Sequence, residues 1–345
     1  CTYGFSSASA GGPIPFGWQG SGLSVSPSIL GSLLNNLLNS LRDDGFSRVY
    51  AVCPQSLYLE LGESALVLPI ALDNNRFPHH NFPQDEHKEK VVIIPVGHTE
   101  QHGYHLPLST DTLIIEAIAK GTAQAVPDQA VTLPVMPYGV STHRYAFAGT
   151  LNCGGRAFED FWLAVIDSLI VRGFNRFYLL SGHGGNSSFL TNVVKYAGER
   201  YPGIFCATAW LYLSGPDGVR ALEQHRRSPI GGMGHACELE TSLILHLRPD
   251  LVYLDRAVDE LDFISTANYY MDWVDGGALI ANPSWYDDTQ TGAYGAGSLA
   301  TSEHGKIWLE AAIQEKIAHV AEIHTQHARR ESRRQNGFGQ WGKFI

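Results

Sequence analysis

Two runs without polar interruption stand out along the chain, Val91-Val92-Ile93-Ile94-Pro95-Val96 and Phe177-Tyr178-Leu179-Leu180. Such runs, rich in β-branched and aromatic residues, are the pattern of strands covered on both faces, where an alternating pattern would mark a strand with one wet face. Around them the period lengthens. Residues 112–125 predict a helix, 130–136 a strand, 158–172 a helix with Ala164, Ile166, Leu169 and Ile170 on its apolar faces, 187–201 a helix and 205–212 a strand. A further helix is expected to open in the Glu238–Ser242 stretch and run to Leu247, and a C-terminal one spans about 302–328. Strands separated by helices of this length imply right-handed parallel crossovers and hence an α/β fold with a mostly parallel sheet.

A partial internal repeat precedes this region. Ser40-Leu41, Gly45-Phe46, Arg48 and Tyr50 recur as Ser168-Leu169, Gly173-Phe174, Arg176 and Tyr178 at a constant offset of 128 residues, and Tyr3-Gly4-Phe5-Ser6 resembles Tyr138-Gly139-Val140-Ser141. After the second copy's strand comes Ser181-Gly182-His183-Gly184-Gly185-Asn186, but after the first comes Cys53-Pro54-Gln55-Ser56, so Gln55 falls where His183 does. The expected organisation is a degenerate structural copy over 1–57, a polar linker or surface segment over 58–90, the α/β domain proper over 91–328 and a basic, solvated tail over 329–345. The His79-His80 pair in the linker has no carboxylate or thiolate support and reads as a solvated pair.

Composition narrows the class. With 44% hydrophobic and 17% charged residues over 345 positions, a sizeable core is available. No apolar run approaches the roughly 18–20 residues of a membrane span, so no membrane partner is expected. A formal net charge of −10 argues against sequence-independent nucleic-acid binding. Five scattered cysteines form no disulfide framework and point to a reducing, cytoplasmic setting. Cys1 opens the chain without a charged-then-apolar leader, which reads as a truncated start in preference to a lipid anchor or a self-processing nucleophile.

The chemistry concentrates in three polar clusters, two directly after predicted strands and one opening a helix. They are Gly97-His98-Thr99-Glu100-Gln101-His102 through Asp111, then Gly182-His183-Gly184-Gly185-Asn186, then Gly234-His235-Ala236-Cys237-Glu238-Leu239-Glu240-Thr241-Ser242. Ligands of open α/β sheets gather beyond the carboxyl ends of strands. Glu100, His102, Asp111, His183 and Glu238 together offer three carboxylates and two imidazoles, a donor mix suited to a pair of divalent ions, Zn, Mn or Fe, and unsuited to a closed thiolate zinc site.

These residues, with His105-Leu106-Pro107-Leu108, Arg248-Pro249-Asp250-Leu251-Val252 and Ala300-Thr301-Ser302-Glu303-His304-Gly305, closely resemble the creatininase (creatinine amidohydrolase) family over about residues 91–325. The resemblance implies a three-layer αβα fold, two divalent metal ions and hydrolysis of a carbon–nitrogen bond in a small cyclic amide or formamide. It also implies a homo-oligomer, a hexamer in the family. Carried over, Glu100, His102, Asp111 and His183 are metal ligands with Asp111 bridging. Creatininase has a Glu two residues after the histidine matched by His183, where this chain has Gly185; other branches with the same His-Gly-Gly-Asn use the Glu matched by Glu238, which therefore completes the ligand set and joins His235 as a catalytic group. Gln101, Asn186 and Glu240 are expected to orient the ligands without coordinating, and Cys237 to point away.

At Arg144 and Ala148 the family commonly has His and Pro. Arg cannot ligate a metal, but it can grip a carboxylate bidentately. Arg144, with His143 and Gly182, is accordingly expected to contact an amide substrate carrying an anionic group, the alternative being a structural salt bridge. Two ions sharing a water lower its pKa from 15.7 towards about 7, and His235 is the expected proton donor to the leaving nitrogen. Rival readings are a lactonase or peptidase using the same metals and a non-catalytic metal-binding assembly protein. The aromatic stretch 268–285 is open between core, lid and interface.

Overall fold

The computed structural model describes residues 87–144, 147–273 and 276–337, with three short strands nearer the N-terminus. The chain divides into two compact units, Cys1–Arg76 and Phe77–Ile345. In the first, β1 (Thr2–Phe5), β2 (Ile14–Gly17) and β3 (Val49–Ala51) form an antiparallel sheet ordered β2-β1-β3. The repeat's matched residues Ser40 to Arg48, its Cys53–Ser56 segment and the His79-His80 pair lie outside the described residues.

The second unit runs β4 (Val91–Val96), α1 (Thr110–Ala125), β5 (Ala130–Thr132), α2 (Gly155–Ile170), β6 (Arg176–Ser181), α3 (Ser187–Arg200), β7 (Phe205–Thr208), α4 (Pro216–His225), β8 (Met233–His235), α5 (Glu238–Leu247), β9 (Tyr294–Gly295) and α6 (Ser302–Gln335). The order β5-β4-β6-β7 is parallel throughout, with Val92 opposite Phe177 and Val96 opposite Ser181. Residues of one strand alternate between two cores. Val91, Ile93, Tyr178 and Leu180 pack with Ile114, Ile118, Leu243, Trp308 and Val320 of α1, α5 and α6. Val92, Ile94, Val96, Phe177 and Leu179 pack with Phe158, Trp162, Ile166, Leu190 and Val193 of α2 and α3. That is why both strands read as continuous apolar runs, and it makes the expected three-layer αβα fold.

Three expectations change at their edges. The strand after α1 stops at Thr132, with only a single bridge from Met136 back to Val96. The strand expected over 205–212 ends at Thr208, and the chain then turns inward with Leu211, Tyr212 and Leu213 buried. The supposed basic tail begins as helix: α6 continues to Gln335, carried by good helix formers, an Arg334–Glu331 ion pair at 2.7 Å and the Arg330 Nη1 bond to the Gln326 carbonyl. No helix among the described residues is long and apolar enough to cross a membrane.

α5 and α6 cross closely because Gly305 has no Cβ; a methyl there would overlap the Ser242 carbonyl.

Candidate metal centre

β4 and β6 end side by side, and the polar residues that follow them fold over the sheet's carboxyl edge. Gly182 donates its N–H to the Val96 carbonyl at 2.8 Å and has no room for a side chain against the backbone of Asp111. Asn186 ties the same region together, accepting from Val140 N at 2.9 Å and donating to the Gly97 carbonyl at 3.1 Å. The loops at this edge are thereby held from both sides by one buried amide side chain.

The histidines reveal their tautomers through fixed backbone partners. His102 Nδ1 lies 3.1 Å from the Glu100 carbonyl, which can only accept, so Nδ1 carries the hydrogen. Its Nε2 then presents a lone pair to Asp111 Oδ1 at 3.1 Å and Glu240 Oε1 at 3.7 Å. His183 repeats the device in mirror form: Nε2 donates to the Val140 carbonyl at 3.1 Å, leaving Nδ1 facing Glu100 Oε1 at 2.9 Å and Asp111 Oδ2 at 3.3 Å. A lone pair aimed at carboxylates is repulsive until a cation sits between them. In the metal-free chain a proton fills that role. Burial alone would lower both imidazoles, yet Asp111 and Glu240 hold His102 well above its ordinary value, and Glu100 and Asp111 carry His183 up to about 9. Outer N–H on a carbonyl and inner nitrogen among carboxylates is the arrangement of metal-ligating histidines.

His98 is near the same carboxylates but behaves differently. Its Nδ1 accepts from Gly139 N at 2.9 Å, which puts any hydrogen of the neutral ring on Nε2 and removes the lone pair a metal would need. His235 is likewise neutral: burial first, then Arg144 and His102, hold it well below its ordinary value. Its Nε2 donates to the Gln101 carbonyl at 2.7 Å, and its Nδ1 accepts from Arg144 Nη1 at 2.8 Å.

Of the residues singled out in the sequence, Glu100, His102, Asp111, His183 and His235 converge. Glu238 does not. At the first position of α5 its carboxylate turns back to accept from Arg227 N at 2.9 and 3.1 Å and from Ser228 N at 2.7 Å. Two residues on an α-helix differ by about 200° in direction, so Glu240 points where Glu238 was expected to, and it is Glu240 that joins His102 and Asp111 in a group of three donors. Cys237 changes with it: buried, it lies 3.8 Å from Glu240 Oε2 as a donor, and burial with the nearby Glu240 charge pushes its thiol well above the usual range, so it is no nucleophile.

Arg144 is buried, with Nη1 on Glu100 Oε1 at 2.5 Å and its guanidinium carbon 3.5 Å from the centre of the Trp285 ring. Of the two expectations for it, the salt bridge is what its contacts form. Although burial raises the Glu100 carboxyl, Arg144, His183 and His235 hold it well below the usual range. Gln101 bonds the Gly292 carbonyl at 2.9 Å and accepts from Gly103 N at 2.9 Å. The His143 ring lies against Trp285, centroids 4.8 Å apart and tilted by 50°.

The group opens into a cavity of about 620 Å³ lined by Asp111, His183, His235 and Glu240, by the expected substrate contacts His143, Arg144 and Gly182, and by Phe189, Trp210 and Leu279. The 268–285 stretch divides its roles: Trp273 and Trp285 are buried core, Trp273 donating to the Tyr212 carbonyl at 2.9 Å, while Leu279 and Ile280 are exposed where they line the cavity.

The buried histidines set a stability profile for the metal-free chain. Burial, aided by His183 for His98 and by Arg144 for His143, lowers these from 6.5 to about 4 and about 3. Both bind protons in the unfolded chain before the folded one, so stability falls as pH drops below 6.5, by on the order of 3 kcal/mol for His98 and about 5 kcal/mol for His143 by the time pH reaches each folded value. His183 has the opposite sign: its stabilisation is whole below 6.5 and is lost as pH rises towards about 9. Urea unfolding of metal-free protein should therefore show a maximum near pH 6.5, and a bound ion, replacing the His183 and His102 protons, should flatten the alkaline side.

Fold and donor set together describe a class: α/β proteins that gather imidazoles and carboxylates beyond the strand ends of a parallel sheet. Comparison with known proteins narrows it, for the Creatininase family model, described as creatinine amidohydrolase, matches residues 79–320, and the chain belongs to this family. It is 31% identical over 185 residues to creatinine amidohydrolase of Pseudomonas putida, covering 49% of this chain and 68% of that protein. It is 36% identical over 172 residues to the mycofactocin precursor peptide peptidase of Mycolicibacterium smegmatis, covering 49% of this chain and 62% of that protein. A solved manganese creatininase superimposes with a TM-score of 0.57 at 27% identity, covering 68% of this chain and 91% of that one.

Proposed function

We propose that this chain is a metal-dependent amidohydrolase that cleaves a carbon–nitrogen bond of a substrate bound in the 620 Å³ cavity. One observation carries the reading: His102 and His183, each fixed by a backbone carbonyl, turn their free nitrogens onto buried carboxylates. His102, Asp111 and Glu240 would hold a divalent ion, Zn, Mn or Fe; Glu100, His183 and Asp111, which the family resemblance would make ligands of a second ion, meet pairwise at His183 Nδ1, with Glu100 already paired to Arg144. Such an ion supplies Lewis acidity towards the amide carbonyl and lowers the pKa of a water it binds.

The chain's own groups do the rest. His235, neutral with its hydrogen on Nε2, has its Nδ1 lone pair taken by Arg144 Nη1 at 2.8 Å, so in this arrangement it holds Arg144 and the Gln101 carbonyl in place, and the proton transfer expected of it from the sequence has no free nitrogen to run through. Gln101 fixes that tautomer through its carbonyl. Glu240 would anchor the ion, and Cys237, kept as a thiol, hydrogen-bonds its outer oxygen. Arg144 neutralises Glu100 and, with His143 and Gly182, also lines the cavity.

A small cyclic amide or formamide fills little of the cavity, which is in the range of drug-sized pockets. That size, with Phe189, Trp210 and Leu279 in the lining and the likeness to a peptide peptidase, favours a second reading in which the amide belongs to a short peptide.

The test uses the full chain. Removal of metal by a chelator should lower hydrolysis at least about 100-fold, and Mn or Zn should restore it, across a panel of creatinine, cyclic amides, formamides and short peptides. Turnover that survives the chelator, or a metal-loaded protein that hydrolyses no amide, would sink the proposal; the second result would favour a non-catalytic binding protein.

A further inference from the structure

We infer that this centre holds a single divalent ion, and that the Arg144 guanidinium stands permanently in the place of a second one. The inference rests on the metal-hydrolase reading above. Among the described residues, three groups of donors lie close enough to share an ion: His102 with Asp111 and Glu240, Glu100 with His98 and His183, and Glu100 with His102 and His235. Only the first lacks Glu100. That carboxylate is already committed, with Oε1 on Arg144 Nη1 at 2.5 Å and Oε2 accepting from Ser141 Oγ at 3.1 Å. The second group is weakened again because His98 offers no lone pair, and the third because His235 Nδ1 is occupied by the same Arg144 nitrogen at 2.8 Å.

Arg144 is not a side chain that swings aside. Its guanidinium lies 3.5 Å from the Trp285 ring centre, is held by Glu100 and His235, and is buried. A guanidinium stays charged at any working pH and cannot coordinate a metal. It therefore repels a second ion at short range while doing that ion's electrostatic work on Glu100. Charge balance agrees. The cluster buries three carboxylates, Glu100, Asp111 and Glu240, and with neutral imidazoles one guanidinium and one divalent ion cancel them. A second ion beside Arg144 would leave the cluster with two positive charges in excess of its carboxylates, right against a fixed guanidinium.

The position of Arg144, where the family commonly has His, makes the experiment direct. Full-length protein stripped of metal, loaded with excess Mn(II) and desalted should retain about one ion per chain by elemental analysis, with the paramagnetic-resonance spectrum of isolated Mn(II). Arg144→His, which removes the fixed cation and supplies an imidazole, should roughly double the metal content and produce the broadened spectrum of a coupled pair. About two ions in the unaltered protein would overturn this inference and leave the metal-hydrolase reading intact, whether or not the variant folds. No retained ion would overturn both, and a folded Arg144→His protein still holding one ion would remove Arg144 from the explanation. One ion without amide hydrolysis would support the site as drawn here and defeat the catalytic reading.

Discussion

Glu240→Ala is expected to strip the centre of its metal and cut amide hydrolysis about 1,000-fold, while Glu238→Gln, two residues away, leaves the metal content and kcat/KM within about threefold of the parent. The contrast follows from what each carboxylate touches. Glu240 Oε1 faces His102 Nε2 at 3.7 Å, and with Asp111 it completes the donor group; without it the ion would be left with one imidazole and one carboxylate. Glu238 instead accepts three backbone N–H contacts from Arg227 and Ser228. Gln keeps its size but loses charge and one accepting oxygen at two buried amides, a cost of about 1–3 kcal/mol. Glu238→Gln should therefore lower the unfolding midpoint and Glu240→Ala should not do so to the same degree. Elemental analysis, initial rates and thermal unfolding on both variants decide it. If Glu238→Gln lost the metal and Glu240→Ala kept it, the rotation assigned to α5 would be wrong.

That pair also shows where the amino-acid pattern stops being informative. The layer order was legible, because β4 and β6 are apolar without alternation only if both faces are covered, and the structure covers them with α1, α5 and α6 on one side and α2 and α3 on the other. The grouping of Glu100, His102 and His183 was legible in that they follow β4 and β6 within a few residues, with Asp111 in the first turn of the next helix; the sheet order that brings the two strand ends together was not. The choice between Glu238 and Glu240 was not. Both lie in the first turn of α5, both are buried, and their own spacing says only that they face opposite ways. What separates them is tertiary: the backbone amides of Arg227 and Ser228 take the Glu238 carboxylate, while Glu240 lies against His102. Arg144 is a similar case. Its residue type allowed either a substrate contact or an ion pair, and the loop that follows Met136 aims it at Glu100. α4 and the short β8–β9 pair were not anticipated at all: a ten-residue helix and two strands of three and two residues leave too little periodicity to read.

Gly185→Glu, which restores the residue that the family resemblance puts in creatininase, is expected to destroy function instead of converting it. Gly185 lies in the short 3-10 turn Gly184–Asn186 that leads into α3, and a Cβ at this position would overlap both the Val140 carbonyl and the His183 ring. Those two groups are partners, at 3.1 Å, in the hydrogen bond that fixes the His183 tautomer. A side chain there must push one of them away. Displacing the Val140 carbonyl also loosens Asn186, which is bonded to Val140 N at 2.9 Å and braces the end of β4. Overpacking of this kind costs about 1–3 kcal/mol or more, and loss of the oriented imidazole should lower amide hydrolysis by at least about 100-fold. The new carboxylate also enters a pocket where Glu100, Asp111 and Glu240 are already gathered, so it brings a further buried charge with no cationic partner of its own. Gly185→Ala isolates the steric part: it should lower the unfolding midpoint and the activity in the same direction as Gly185→Glu. Thermal unfolding and initial rates on both variants are the measurement. A Gly185→Glu protein as stable as the parent and newly active on creatinine would show that the turn relaxes to admit a side chain, and that the space between Val140 and His183 does not govern which amide this centre can cut.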